Sequence, residues 1–439
     1  MSPLCALGRI ATAGCMLAVS ALSPGLGRAA STAALTLPPL RVQLDSALER
    51  ARNEPVYVQV GTFRLYPELV LTELYDDNVF TTPRNRQDDT TTIVTASGSL
   101  RSNWREHRLR TDVGLEIGRH AEFTDDSYHD YWLELEGRFD LSRTASVFAG
   151  IGHRREHEER GSPNDVAGIE PTVYHDAHAN LGVQGRSSRW SGRLSLAQEQ
   201  LAFEDVHALD ISTGIPGGPT GRDLVAISND DRDRETSTLG GRLGYFLSPR
   251  LEAFWRTDLN TRAYRLMPDA DGFYRNSKGY TTDLGLAWQP GKAFEGQLYA
   301  GQLRQNYDDA RLVDVHTADY GGTLAWRITR ATRLSAYLER SVQETIIPEA
   351  SSYLASATGV RFEQRSDGDL VLRIWAGMTR SDFQGIARSD DTYDAGAEYR
   401  YAVGRHLFLG VAYDHLRNSS TEPVASFQRN QVFLKIGRR

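Results

Sequence analysis

From Phe63 onward, apolar and polar residues take turns with a period of two, in one segment after another. In one such segment Leu109, Thr111, Val113, Leu115 and Ile117 fall on one face, and Arg110, Asp112, Gly114 and Glu116 on the other. That is the period of a β-strand with two unlike faces. The rule returns at Tyr131 to Leu141, at Leu251 to Asn260, at Leu370 to Met378 and at Val432 to Ile436. Eighteen segments follow it. Their approximate spans are 63–78, 91–104, 107–123, 128–141, 144–158, 170–186, 188–204, 233–247 and 249–266, then 274–289, 292–308, 316–329, 331–345, 352–364, 367–382, 390–402, 405–418 and 427–438.

The connections alternate as well. Tight ones such as Arg105-Glu106, Ser142-Arg143, Ser248-Pro249 and Val403-Gly404 take turns with longer, more charged ones at 79–90, 159–169, 205–232 and 383–389. Short periplasmic turns and longer extracellular loops are the asymmetry of an outer-membrane barrel. A propeller would repeat a blade motif every forty to fifty residues, and none is present. A soluble barrel this wide would need an apolar filling, whereas the second face here carries arginines and carboxylates. The sequence therefore predicts an all-β, antiparallel up-and-down transmembrane barrel of about eighteen strands, apolar outside and polar within. Aromatic residues near segment ends (Tyr128, Tyr131, Trp190, Tyr264, Trp288, Tyr307, Tyr320, Trp326, Tyr353, Tyr393, Tyr399 and Tyr401) are expected to form interfacial girdles.

Arg9 precedes an apolar run, Ile10 to Leu22, that Pro24 and Gly25 break. This is the layout of a secretory signal peptide, with cleavage expected after Ala29. Residues 30–60 read as a periplasmic N-terminal segment and 61–439 as the barrel. Cleavage would remove Cys5 and Cys15, leaving neither disulfide nor thiol chemistry. The formal charge of -7 over 439 residues supplies no basic excess for nucleic acid.

Barrels of this strand number leave an aqueous lumen, unless a loop folds inward to plug it. Strand phase puts Arg110, Arg138, Arg193, Arg242, Arg256, Arg262, Arg327, Arg361, Arg373 and Arg400 on the inner face. Asp112, Glu116, Glu134, Glu136, Glu252, Asp258, Glu295, Glu363 and Glu398 point the same way. Such a wall is a set of neutralising cross-strand pairs, a cationic track of guanidinium forks for an acidic polymer, or both. No catalytic constellation appears, and the chain reads as a non-enzyme without a cofactor. His153 and His157 would stand roughly 13 Å apart along one strand face, too far to share a metal. The acidic pairs Asp76-Asp77, Asp88-Asp89, Asp125-Asp126, Asp230-Asp231 and Asp390-Asp391 read as solvated loop charge, with calcium bridging to surface polysaccharide or lipid phosphate as the lesser alternative.

The first segment reads Gly61-Thr62-Phe63-Arg64-Leu65-Tyr66-Pro67-Glu68-Leu69 and ends at Tyr75-Asp76-Asp77-Asn78. This resembles the opening of the putative β-barrel porin-2 family, outer-membrane barrels often linked to exopolysaccharide and capsule operons. There a G-x-F-x-x-x-P-x-L stretch precedes a strand with a Y-D-D-N-like tip. The resemblance implies a passive channel in the outer membrane of a Gram-negative bacterium, releasing a polysaccharide that other proteins make. Implied partners are outer-membrane lipids and lipopolysaccharide, the polysaccharide chain, periplasmic secretion proteins and the barrel-assembly machinery. Pro67, odd inside a strand, suggests an edge near the seam where the barrel closes. The chain departs from many such barrels in lacking a terminal aromatic, since it ends Phe433-Leu434-Lys435-Ile436-Gly437-Arg438-Arg439. A general or solute-specific uptake porin, and an adhesion or scaffold barrel acting through the 205–232 loop, are the alternative readings.

Overall fold

The alternating segments are strands, because period-two side chains satisfy an apolar and a polar surface at once only when the backbone is extended. A computed structural model describes residues 57–209, 224–366, 369–404 and 406–438. The signal peptide, most of the N-terminal segment and the centre of the 205–232 loop lie outside the described residues. Among the described residues there are eighteen long strands: β1 Phe63–Asp76, β2 Asp89–Ser102, β3 Arg108–His120, β4 Tyr128–Asp140, β5 Ala145–His157, β6 Val173–Arg186, β7 Trp190–Phe203, β8 Arg234–Ser248 and β9 Leu251–Tyr264. There follow β10 Ser277–Trp288, β11 Phe294–Tyr307, β12 Val315–Arg327, β13 Thr332–Glu344, β14 Ser352–Ser366, β15 Leu370–Gln384, β16 Ser389–Val403, β17 Leu407–Ser420 and β18 Phe427–Arg438. Sequence reasoning missed a short strand, Val58–Val60, and a hairpin of Val206–Leu209 with Leu224–Ile227 rising from the longest loop. No helix among the described residues is long and apolar enough to cross a membrane.

Every strand pairs antiparallel with its sequence neighbour, and β18 pairs with β1 to close the ring. Closure holds only along the long-loop half of β1, from Leu69↔Arg438 to Asp76↔Gln431. Below it, Val58–Val60 takes the vacant edge, from Val58↔Leu65 to Val60↔Phe63. The two-residue turn that folds this strand back starts at Gly61, whose φ of +58° suits glycine. Pro67 sits in the gap between the two partners. Its missing N–H falls where, among the described residues, no strand stands to receive one, which is the seam the sequence anticipated.

At the other end of the seam the Asp76-Asp77-Asn78 tip clasps β18. Gln431 donates from Nε2 to Asp76 (2.8 Å), and Arg429 pairs with the same carboxylate at 2.9 Å. The backbone N–H and side-chain amide of Asn430 both donate to Asp77, at 2.6 Å each. Asn78, fully buried, donates to the carbonyls of Thr82 and Gln428 (2.9 and 2.8 Å) and accepts from the Thr82 N–H at 3.0 Å.

Large aliphatic side chains project from the outer wall, Leu284 at 69% exposure and Leu196 and Ile151 at 58% among them, while Arg110, Asp112, Asp258, Asp283, Glu398 and Lys435 are buried within. Two expectations need correction. Of the presumed girdle, Tyr131, Trp190, Trp326, Tyr393, Tyr399 and Tyr401 do face outward and exposed. Trp288 and Tyr320 share that face by strand phase. Tyr264, Tyr307 and Tyr353 are instead buried on the lumen side near the long-loop end, and Tyr128 also turns inward to donate to Glu116 at 3.1 Å. Aromatic type and segment position cannot give the face; strand phase does. The acidic pairs are not simply solvated either: Asp76, Asp89, Asp126 and Asp390 are each buried. Asp89, for example, accepts from the N–H groups of Glu122 and Phe123 at 3.1 Å, and Asp126 holds Arg160 at 2.5 Å.

Candidate functional site

All ten arginines named from strand phase lie on the face opposite the outward-pointing aliphatics, and so do the carboxylates. The structure then sorts them into ion pairs that the sequence could not specify. Arg110 pairs with Asp112 at 2.5 Å, Arg138 with Asp140 at 2.6 Å, and Arg242 with Glu252 at 3.1 Å. Arg373 bridges Glu363 and Glu398 at 3.1 and 2.9 Å, and Glu398 also takes Arg400 at 3.6 Å and Lys435 at 3.4 Å. Glu134 is shared between Arg154 (2.6 Å) and His178 (3.0 Å). Glu116 accepts from Thr95 at 3.0 Å, so it is a hydrogen-bonded wall residue. Arg327, Arg361 and Glu295 stand toward the short-turn end. Arg154, Asp283 and Asp319 were missed; each obeys the same phase rule and could have been read from it.

Several inner-wall guanidinium groups lie over rings, Arg186 over Phe246 at 4.0 Å and Arg400 over Phe408 at 4.3 Å among them, and three on adjacent strands border one open space. On β7, β8 and β9 the guanidinium planes lie over inner-wall rings: Arg193 over Phe148 at 4.2 Å, Arg242 over Phe254 at 3.8 Å and Arg256 over Tyr299 at 3.5 Å, each to the ring centroid. Stacking keeps the cation against the wall, where an apolar surface would otherwise face water, and leaves the opposite face of the plane toward the lumen. Arg256 donates through Nε to Asp283 (2.7 Å) and through Nη2 to Asp319 (3.3 Å). A guanidinium carries five donors, so these bonds leave others for a passing anion. The three arginines border an open space of about 770 Å³, counting what opens to solvent, that Asp258, Gln297, Tyr299 and Tyr337 also line.

Toward the long-loop end the lumen is crossed. The 158–172 connection rises between β5 and β6 and reaches in two directions. Glu159 approaches Arg429 of β18 at 3.6 Å, while the Asn164 amide donates to the Glu344 carbonyl of β13 at 3.1 Å. Glu158 is held by Arg232 at 3.0 Å, and Arg232 in turn lies over Phe203 at 4.1 Å. Neighbouring Asp231 has its carboxyl pushed above the ordinary range by burial, with Asp269 reinforcing the shift. Meeting this connection from the far side is the tip of the β13–β14 hairpin. Its Glu344 carboxylate takes Arg262 and the Tyr264 hydroxyl of β9, the latter at 2.5 Å. Sequence phase placed Arg262 on the inner face, but its partner lies 82 residues away and no local signal announces it.

Among the described residues no cluster of histidines, cysteines and carboxylates has the arrangement of a metal site. His153 stacks on His175 at 5.7 Å between ring centroids, and His157 bonds to Asp130 at 2.7 Å. These histidines serve the wall.

Residues 51–438 match the protein family described as putative beta-barrel porin 2. No curated protein matches the chain. Solved structures of similar shape include the outer membrane protein OpdK of Pseudomonas aeruginosa, 11% identical over 85% of this chain and 97% of that one, with a TM-score of 0.41. OccK3 (OpdO) of the same organism is 14% identical over 85% and 95%, at 0.42. The siderophore receptor PiuA of Acinetobacter baumannii is 8% identical over 87% and 82%, at 0.46. Likenesses this distant speak to neither cargo nor direction.

Proposed function

The chain belongs to the putative beta-barrel porin 2 family, and from that premise we propose that it is a passive outer-membrane channel through which an acidic exopolysaccharide leaves the cell. The observation that supports this most is the row of ring-backed guanidinium planes, Arg193, Arg242 and Arg256, beside the open space of the lumen. Acidic sugars carry carboxylates at regular intervals, and planar forks bind carboxylates in bidentate fashion. The wall carboxylates matter equally. Glu252 already engages Arg242, and Asp283 and Asp319 engage Arg256, so at these two a passing carboxylate exchanges with a resident one instead of binding an isolated charge. Exchange of that kind holds each sugar weakly and releases it, as conduction requires. No bond is made or broken, and transport runs down the polymer's own gradient.

Direction is supported by the Tyr75-Asp76-Asp77-Asn78 and Gly61-to-Leu69 resemblance to barrels linked with exopolysaccharide and capsule systems. The signal peptide, the polysaccharide chain and the periplasmic secretion partners belong to the same proposal. Deleting the gene tests it. Loss of secreted acidic polymer with growth intact on defined nutrients is the expected result. Unchanged polymer with slower growth on one nutrient would replace it with an uptake porin.

A further inference from the structure

The β12–β13 ladder stops halfway. It runs from Arg327↔Arg333 to Gly322↔Leu338 and no further. Above that point β13 still pairs with β14 through Glu344↔Ser352, and β12 still pairs with β11 up to Val315, so two intact hairpins have parted along one edge. The β13–β14 tip then lies inside the wall. Val342 and Leu354, which share the outward phase of Leu338 and Val360, are buried against the inward-phase Leu303, Tyr307 and Val315 of β11 and β12, together with Leu312. A face built to look outward is tucked behind its neighbour.

Polar contacts latch it there. Besides the Glu344 bonds to Arg262 and Tyr264, Arg275 donates through Nη1 to the Thr345 and Ala350 carbonyls at 2.9 Å each. Thr345 donates from its hydroxyl to Asn164 at 2.8 Å. Against these gains, the edge of β12 that faces β13, from Val315 to Gly321, has no strand beside it among the described residues. Open sheet edges are costly at membrane depth. The side chain of Arg340 spans the gap, donating to the Ala318 carbonyl at 3.3 Å and lying 5.3 Å from the Tyr320 ring centroid.

The unmade part of the ladder is in register. Extending the observed pairing sets Tyr320 opposite Arg340, Ala318 opposite Val342 and His316 opposite Glu344 on the outer face, with Asp319 opposite Ser341 and Thr317 opposite Gln343 within. Outward residues meet outward ones, and the His316–Glu344 and Tyr320–Arg340 pairs are complementary. Gly321 and Gly322 stand where the strands part, and strand glycines mark sites of bending or close backbone approach.

We propose that the β13–β14 tip, residues 339–356, is a shutter with two seats: tucked inside the long-loop mouth, as seen, or swung into the wall to complete the β12–β13 ladder and open the lumen. The inference rests on the reading of the lumen as a conduit and names its gate. The two seats hold Val342 in different places, against the inner face of β11–β12 or across from Ala318.

The test uses the full chain with Cys5 and Cys15 replaced by serine and cysteines introduced by Ala318→Cys and Val342→Cys. Directly paired strand residues lie within disulfide reach. Oxidation of the refolded barrel is expected to form the bond and raise single-channel conductance, with reduction reversing both. Glu344→Gln, which weakens the latch, is expected to speed bond formation about tenfold, in line with loss of a charge-assisted contact. Absence of the bond in both backgrounds, in protein whose gel mobility shows a folded barrel, overturns the shutter. So does a bond that leaves an existing conductance unchanged. A bond that forms in a barrel conducting in neither state would instead overturn the conduit reading, leaving the two seats standing as structure.

Discussion

Two strand junctions in this barrel are short, and they are short at opposite ends. Between β18 and β1 the ladder covers the long-loop half and fails toward the periplasm. Between β12 and β13 it covers the periplasmic half and fails toward the loops. At the seam everything local is arranged to fix the junction: Val58–Val60 fills the vacant edge, Pro67 needs no partner in the gap, and Asp76, Asp77 and Asn78 clasp residues 428–431. At the second junction the residues that would complete the ladder are present in register but engaged elsewhere, with Glu344 on β9 and Val342 behind β12. A missing ladder segment is therefore not one kind of feature. Where alternative partners are built in for the free edge, it is a closure; where the natural partner is diverted, it is a place to move.

The contrast can be broken in four places. The double variant Asp77→Ala/Asn78→Ala strips the clasp's bonds from the part-buried Gln428 and Asn430 of β18 and empties the fully buried site of Asn78. It should cost about 3–5 kcal/mol in urea unfolding of the barrel in detergent, enough to impair assembly. A loss below about 1 kcal/mol would mean the clasp does not hold the seam. Leu354→Ala removes a buried side chain, and in a fixed core this costs about 2–5 kcal/mol. If the hairpin detaches locally, global stability should fall by no more than about 1.5 kcal/mol while conductance rises. Gly61→Ala meets no steric neighbour, so only its left-handed backbone is penalised. About 1 kcal/mol is the expected cost. Pro67→Ala should change stability by less than about 0.5 kcal/mol, because the restored N–H enters an edge that lacks a strand. A larger gain on adding that N–H would show that the seam is paired in solution.

The fold was legible because a barrel wall is written locally. Each strand needs only its own alternation, and phase gave the inward face of Arg110, Arg256, Arg373 and Glu398 without any tertiary information. The seam too was signalled locally, by a proline where a central strand would not tolerate one. What escaped was whatever depends on the third dimension across the lumen. Val342 and Leu354 carry the outward pattern of Leu338 and Val360, yet tertiary packing turns them inward, and no local signal announces it. The three lumen tyrosines near the mouth, Tyr264, Tyr307 and Tyr353, were misplaced for a related reason: an aromatic at a strand end fits either a girdle or a plugged mouth. Register sets Arg242 opposite Arg256, so neither its pairing with Glu252 nor the long reach from Arg262 to Glu344 follows from strand phase.

The channel itself is tested most directly by single-channel conductance of the refolded barrel in a planar bilayer, with neutral or uronic-acid oligosaccharides added in turn. The account predicts an open conductance that the acidic sugars block and the neutral ones do not, with block weakened about tenfold when Arg193, Arg242 and Arg256 are all replaced by glutamine, as expected for loss of charge-assisted contacts. Equal block by both sugars, or no conductance in a demonstrably folded barrel even after oxidation of the Ala318→Cys/Val342→Cys pair, would contradict it.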